Sequence, residues 1–282
     1  MFATYRSIIA LLGGTAFLLA ASGLHSLLLP LRGQAEGFST ASLGLLGTAW
    51  AGGFVAGCYA APFLVRKVGH VRAFGAFAAS GAMVALTTGL WIDEAAWIAL
   101  RAATGFTMAG AFMVIESWLN ERATNENRGT VFGLYMMVTY AAITVGQMMV
   151  ATTDVGNAAP FMLAGILFCA SLIPTAISSA ASPQPLAEVR LDLRRLYANS
   201  PVAAVGCVLI GVANGAWGTL GAVYGARAGI SAFEIALMMS IVVISGALAQ
   251  LPVGRASDRT DRRYVLSAAS FGAALFALAL FS

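Results

Sequence analysis

The chain has 282 residues, of which 59% are hydrophobic and 10% are charged, and its formal net charge is +4. Soluble globular proteins carry about 25% charged residues, so this composition excludes a cytosolic enzyme, a nucleic-acid-binding domain and a disordered chain. We therefore expect the protein to fold in a lipid bilayer.

Nine charge-poor segments are long enough to cross a bilayer as helices. A bilayer core needs about 20 mostly apolar residues in helical form, because lipid offers the backbone no hydrogen-bond partners. Only the fourth segment contains a charged residue, Arg101. The predicted spans are 8–31, 43–65, 73–92, 95–115, 130–153, 158–178, 201–223, 235–253 and 264–282.

The first span resembles a secretory signal, with Arg6 before it and small residues at Ala20-Ala21-Ser22. Its apolar character continues to Leu31, which is too long for the apolar region of a signal peptide. We expect a retained helix.

The positions of the basic residues predict the orientation of the chain, because short loops rich in Lys and Arg stay on the cytoplasmic side. With a cytoplasmic N-terminus, the outer loops hold only Arg32 and Arg227. Thirteen of the sixteen basic residues then lie inside: Arg6, Arg66, Lys67, Arg72, Arg122, Arg128, Arg190, Arg194, Arg195, Arg255, Arg259, Arg262 and Arg263. The sequence therefore predicts a multi-pass membrane protein with a cytoplasmic N-terminus.

The sequence repeats itself at an offset of 192 residues. Gly37-Phe-Ser-Thr, an apolar helix and a basic loop match Gly229-Ile-Ser-Ala, a helix and Asp258-Arg259. Such repetition is typical of membrane proteins built from two halves. We expect a six-helix half at 1–181, a cytoplasmic linker at 182–200 and three helices of an incomplete second half at 201–282, with about three spans absent.

The loop after the eighth span carries a recognisable motif. Gly254-Arg-Ala-Ser-Asp258-Arg259-Thr-Asp261-Arg262-Arg263 matches the pattern G-x-x-x-D-[RK]-x-G-[RK]-[RK] at all but one position, since Asp261 stands where glycine is usual. The first-half copy, Pro62-Phe-Leu-Val-Arg66-Lys67-Val-Gly69-His70-Val-Arg72, is more divergent and has Arg66 where the acid belongs. The fourth span contains Arg101-Ala-Ala-Thr-Gly105, similar to an R-x-x-x-G motif.

This layout of helices, linker and motif loops resembles the major facilitator superfamily. The stretch Glu116-Ser-Trp-Leu…Asn127-Arg128-Gly129…Tyr135-Met-Met…Gly146-Gln147 is most similar to the YcaD-like branch of inner-membrane transporters. The resemblance implies an all-α integral membrane fold with nine of twelve helices present. It also implies transport by alternating access, with a midplane cavity between the halves.

Arg101 is the sharpest single signal for function. A charge at a helix centre costs about 2.5 to 3.5 kcal/mol on insertion scales and usually faces a cavity or a partner. The alternative is that Arg101, about 9 Å below the start of its helix, extends to the outer headgroups. If Arg101 faces the cavity, an anionic or zwitterionic solute is favoured over a cation.

Glu116 lies at the cytoplasmic end of the same span, close in depth to the basic loop at Arg66, Lys67, Gly69 and Arg72. In the family that the sequence resembles, an acid at this position helps to latch the inner gate. Because Arg66 replaces the usual Asp, we expect the latch to use Glu116 or Glu121. The alternative is a solvated carboxylate worth well under 1 kcal/mol.

His25 is the only group within a span that titrates near neutral pH, which makes it the candidate carrier of a coupling proton. A structural hydrogen-bonding role is the alternative, and no span has Asp or Glu at its middle. Other polar and aromatic side chains within the spans are candidates to line the cavity, each with a packing role as its alternative. They are Asn214, Gln147, Gln250, Tyr140, Trp50 and Trp217.

The sequence carries none of the usual enzyme motifs, such as H-E-x-x-H, G-x-S-x-G or a phosphate-binding glycine loop. Its three cysteines, Cys58, Cys169 and Cys207, lie in separate apolar runs and suggest neither disulfides nor a metal site. We expect no enzyme activity, cofactor or metal.

The expected partners are lipid, a small solute and a coupling proton or ion, with the chain as a monomer. The alternative is a transporter-like sensor or scaffold without transport activity, or an inactive fragment.

Overall fold

A computed structural model describes residues 2–124, 127–177 and 193–279. Arg190 and most of the predicted linker lie outside these residues. The side chains of Arg6, Arg195, Asp258 and Arg262 are likewise outside the described part. By their contacts, the residues form two compact units, Met1–Ser240 and Ile241–Ser282.

The first six predicted spans all form helices. The helices of the first, second and fourth spans extend past the predicted bounds at both ends, whereas the sixth predicted span is divided into two shorter helices. The helices are α1 (Phe2–Ala35), α2 (Thr40–Val68), α3 (His70–Leu90), α4 (Glu94–Arg122), α5 (Arg128–Ala151) and α6 (Ala159–Ala170), which is followed by the short α7 (Leu172–Ile177).

The last three predicted spans are helical as well, the ninth as far as residue 279, where the described part of the chain ends. The seventh is interrupted by one π-helical turn, Trp217–Gly221. The helices on either side of this turn are α9 (Pro201–Ala216) and α10 (Ala222–Arg227). A short helix, α8 (Leu193–Asn199), precedes them in the predicted linker, and α11 (Ala232–Arg259) and α12 (Arg262–Ala279) follow. Within the described residues, eight helical segments are long and apolar enough to cross a membrane, and Arg263–Ala279 is a shorter apolar helix.

Helices α2 and α4 pack most closely where each has a glycine. A Cβ atom on Gly53 would lie 1.8 Å from the carbonyl oxygen of Ala102, and one on Gly105 would lie 2.0 Å from that of Trp50. Small residues allow membrane helices to approach at backbone distance. This crossing fixes α4, with Arg101 and Glu116, against α2.

The predicted repeat is reproduced in the backbone hydrogen bonds. The amide of Phe38 donates to Gly33 at 2.9 Å, and 192 residues later the amide of Ile230 donates to Gly225 at 3.0 Å. Such a six-residue bond closes a helix end whose next residue is left-handed. Gly37 (φ 80°) and Gly229 (φ 77°) provide that conformation, which an L side chain rarely adopts.

Helices α9 and α10 and the π-helical turn between them pack against α1 and α2. A Cβ atom on Gly47 of α2 would lie 2.5 Å from the hydroxyl of Thr219 in the π-helical turn. The start of the second half therefore belongs to the same compact unit as the first six helices. The predicted division at 182–200 stays a prediction.

Candidate functional site

Arg101 points from α4 towards α1. Its side chain is 9% exposed, and Nη2 donates a hydrogen bond to the hydroxyl of Ser26 at 3.3 Å. Its Nη1 is buried without a hydrogen-bond partner. Among the side chains that the structure describes, no carboxylate forms an ion pair with Arg101. The guanidinium is thus held between two helices with part of its hydrogen-bonding capacity unused.

His25 lies next to Ser26 in sequence and is 1% exposed. Its ring meets Phe161 of α6 edge to face, with the ring centroids 6.2 Å apart. Neither ring nitrogen has a hydrogen-bond partner. A buried polar group without a partner is costly, so His25 and Arg101 are two neighbouring positions in the bundle at which a polar ligand could supply the missing partners.

An aromatic series runs along α2 towards the other end of α4. The rings of Trp50 and Phe54 stack with their centroids 5.0 Å apart, and Phe54 lies 6.3 Å from Phe112 of α4. The indole nitrogen of Trp50 is buried without a hydrogen-bond partner. These rings connect the level of Gly105 to the part of α4 that carries Glu116.

A cavity of about 770 Å³ opens between α2, α4 and α5 at that end. Ligand cavities in proteins typically measure about 300 to 1,000 Å³ and combine apolar walls with a few polar groups. The walls here have that composition. The lining residues are Phe54, Cys58, Ala109, Phe112, Met113, Glu116, Ser117, Asn120, Arg128 and Phe132.

The hydrogen bond that the structure gives Glu116 comes from α5. The hydroxyl of Tyr135 donates to Oε1 of Glu116 at 3.3 Å. In the described part of the chain, no ion pair joins Glu116 to Arg66, Lys67 or Arg72. The predicted latch between Glu116 and the basic loop therefore stays a prediction.

The basic loop itself lies between α2 and α3. The guanidinium of Arg66 sits over the ring of Phe63 at 5.5 Å from its centroid. Gly69 (φ 84°) makes the turn from α2 into α3, and Lys67 and Arg72 are exposed. In the second copy of the motif, Gly254, Arg259 and Arg263 are exposed, and the amide of Arg263 donates to the carboxylate of Asp261 at 2.9 Å.

The remaining predicted cavity residues are spread over several helices. Gln147 of α5 is buried, and its side-chain oxygen accepts a hydrogen bond from Ser240 of α11 at 3.4 Å. Tyr140 is half-buried on α5. Asn214 on α9, Trp217 in the π-helical turn and Gln250 on α11 are exposed. The structure thus brings Trp50 alone of this group beside the cavity aromatics.

Sequence reasoning missed several polar groups that the structure brings together. Arg227 follows the seventh predicted span; its Nε donates to the amide oxygen of Gln34 at 3.1 Å and its Nη2 to the hydroxyl of Thr40 at 2.9 Å. Arg227 was visible as one of two basic residues in the predicted outer loops. Tyr135 and Arg128 stand in the stretch that resembles the YcaD-like branch, but nothing in the sequence marked them as residues of the cavity.

Comparison with known proteins identifies the family. The family model described as "Major Facilitator Superfamily" matches residues 10–282. The chain is 29% identical to a protein named "Uncharacterized MFS-type transporter YcaD" from Escherichia coli strain SE11 and to its namesake from Shigella sonnei, over 98% of this chain and 73% of each relative. It is 27% identical to the YcaD protein of Escherichia fergusonii over 98% of this chain and 72% of the relative. The motif loops, the helical fold and the family match agree, and the chain belongs to the major facilitator superfamily.

Proposed function

We propose that the protein is a secondary active transporter, which moves a small solute by alternating access between two helical halves. Family membership and the name of the relatives support transport as the general activity. The cavity between α2, α4 and α5 supports a small organic solute. We place the N-terminus on the cytoplasmic side of the plasma (inner) membrane, as the distribution of basic residues predicts.

Two features of the structure fit alternating access. On the side predicted to face outwards, Arg227 ties the second half to Gln34 and Thr40 of the first. Towards the opposite end of α4 lies the cavity that Glu116 lines. One of the two end states of such a transporter requires a contact between the halves at one end and a solute cavity towards the other, and these two features support that proposal.

The observation that carries the proposed substrate preference is the buried guanidinium of Arg101. Its Nη1 has no partner, and none of the carboxylates that the structure describes is paired with it. A buried charge without a counter-ion is strongly unfavourable. A negatively charged solute that reaches the level of Arg101, about 22 Å along α4 from Glu116, would supply the missing counter-ion there. His25, adjacent to Ser26, stays the candidate carrier of a coupling proton.

The experiment is uptake of radiolabelled carboxylates and amino acids by liposomes that contain the full chain. We expect Arg101→Ala to reduce the flux of the transported anion or zwitterion about tenfold or more, because the charge-assisted contact is lost. Arg101→Lys retains the charge and should keep part of the flux. Unchanged flux of every such solute in Arg101→Ala would overturn the role of Arg101. Absence of any flux would favour the sensor or scaffold.

A further inference from the structure

We propose that the cavity between α2, α4 and α5 binds a zwitterionic solute with an aromatic or similarly large apolar body, its ammonium group on Glu116 and its carboxylate on Arg128. This inference names the substrate class of the transporter and rests on the proposed function. It follows from the charges, the walls and the size of the cavity.

The cavity holds two opposite charges that do not neutralise each other. Glu116 lies on α4 and Arg128 begins α5, and both line the cavity. No nitrogen of Arg128 lies within 4.0 Å of a carboxylate oxygen of Glu116. A solute with a single charge would satisfy one of these groups and leave the other facing it unpaired, whereas a zwitterion satisfies both.

Each of the two charged groups contacts an aromatic side chain. The hydroxyl of Tyr135 donates to Oε1 of Glu116 at 3.3 Å, which leaves Oε2 free to accept from an ammonium group. The guanidinium of Arg128 lies over the ring of Phe132, 5.9 Å from its centroid, with its edge donors available. Each exposed side chain thus has one aromatic contact and keeps hydrogen-bonding groups for a solute.

The cavity beside the two charges has mostly apolar walls, which suit a solute with a large apolar body. Phe54, Phe112 and Met113 form the wall on α2 and α4, and Phe132 closes the α5 side. A side group that fills this space removes apolar surface from water. A volume of about 770 Å³ accommodates a phenyl-sized body together with both charged groups.

A native cysteine in the cavity wall offers a direct binding assay. Cys58 is exposed and lines the cavity, whereas Cys169 and Cys207 are exposed elsewhere. In the full chain with Cys169→Ser and Cys207→Ser, the rate at which a maleimide labels Cys58 reports whether the cavity is occupied. The probes are phenylalanine, phenethylamine and 3-phenylpropionate, which share the phenyl group and differ in charge.

We expect phenylalanine to slow the labelling of Cys58 at concentrations about tenfold or more below those that the two singly charged probes require, since each of these loses one charge-assisted contact. Equal protection by phenethylamine would overturn the inference in favour of a cation. Equal protection by 3-phenylpropionate would overturn it in favour of an anion. Absence of protection by all three would remove the cavity as the site.

Two pairs of variants separate binding from folding. In Glu116→Gln, phenylalanine should protect Cys58 no better than 3-phenylpropionate, which lacks the ammonium group. In Arg128→Gln, phenylalanine should protect no better than phenethylamine, which lacks the carboxylate. Glu116→Asp and Arg128→Lys retain the charges and should restore part of that advantage. Protection is scored as the ratio of rates with and without probe, so a change in the basal reactivity of Cys58 does not affect it. An advantage that survives both neutral variants would contradict the assignment.

The assay also distinguishes this inference from the proposed function. Protection of Cys58 needs binding alone, whereas uptake needs the transport cycle. Uptake of another solute without protection by the phenyl series would overturn the zwitterion site and leave the transporter standing. Protection without uptake of phenylalanine would support the site and contradict transport of this class.

Discussion

The two copies of the outer turn reach the same backbone geometry with different side chains. In both, the helix ends on a glycine with positive φ and a serine begins the next helix, at Ser39 and at Ser231. In the second copy, Glu234 caps the helix locally and accepts hydrogen bonds from the amide and the hydroxyl of Ser231 at 3.0 and 2.7 Å. The equivalent position in the first copy is Ser42.

In the first copy the carboxylate comes from another helix. Glu94 at the start of α4 accepts from the amide of Ser39 at 2.9 Å and from the hydroxyl of Ser42. Both helix beginnings therefore have an acid, which the exposed amides and the helix dipole favour. In the first copy, the capping carboxylate therefore connects α2 to α4. In the second copy, the capping carboxylate belongs to the helix that it caps, α11. The tight crossing of α2 and α4 belongs to the same arrangement.

The largest expected effect on stability comes from a substitution at the crossing of α2 and α4, in which a residue of the first repeat is replaced by its equivalent in the second repeat. Gly53→Ser introduces the residue that the second copy has at the equivalent position, Ser245. A Cβ atom at position 53 would lie 1.8 Å from the carbonyl oxygen of Ala102. We expect a loss of roughly 1 to 3 kcal/mol or more of stability. The measurement is the apparent melting temperature of the purified full chain in detergent.

Gly52→Ala is the matched control, because a Cβ atom on Gly52 meets nothing within 4 Å. It should leave the melting temperature unchanged or raise it, since alanine favours helix over glycine. Equal melting temperatures for Gly53→Ser and Gly52→Ala would show that α2 does not pack tightly against α4 at Gly53.

An intermediate effect that is the same in both copies is expected at the turns. Gly37→Ala and Gly229→Ala each force an L side chain into the left-handed region, at a cost of about 1 to 2 kcal/mol. Neither new Cβ atom meets a neighbour within 4 Å, so the backbone alone accounts for the loss. Asparagine tolerates this conformation better, and Gly37→Asn and Gly229→Asn should lose less. A loss at only one of the two glycines would end the equivalence of the turns.

The smallest effect is the difference between the two capping acids. We expect Glu94→Ala to lower the melting temperature more than Glu234→Ala, because Glu94 connects two helices and Glu234 serves its own helix. Thiol labelling of a cysteine placed at Thr40 should also become faster in Glu94→Ala, as the start of α2 loosens. A larger fall in melting temperature for Glu234→Ala would show that the contact of Glu94 with the start of α2 contributes little to stability.

The order of the helices followed from hydropathy, because every span that the lipid requires is a long apolar run. The equivalence of the two turns also followed from the repeat, since Gly37 and Gly229 stand at the same position, whereas their left-handed backbone is seen only in the structure. The partners of the charged groups did not follow. Ser26 lies 75 residues from Arg101 in sequence, and nothing in the apolar span around it marks it as a partner. The pairing of Tyr135 with Glu116 likewise depends on how α5 packs beside α4.

Arg128 shows why the cavity was harder to predict than the fold. In the sequence it is one basic residue among many on the predicted cytoplasmic side, where its charge contributes to orientation. Only the packing of α5 brings it to the same cavity as Glu116, Phe54 and Cys58. Hydropathy determines which segments cross the membrane, but it carries no information about which helix faces meet.

Alternating access is the central claim, and the accessibility of Cys58 from the two sides of the membrane tests it most directly. In sealed vesicles of either orientation, a membrane-impermeant maleimide should label Cys58 from the side on which Arg66 and Arg128 lie. Arg227→Ala removes the hydrogen bonds to Gln34 and Thr40, and should shift labelling towards the opposite side. Labelling from the same single side at the same rate, with and without Arg227, would contradict the account.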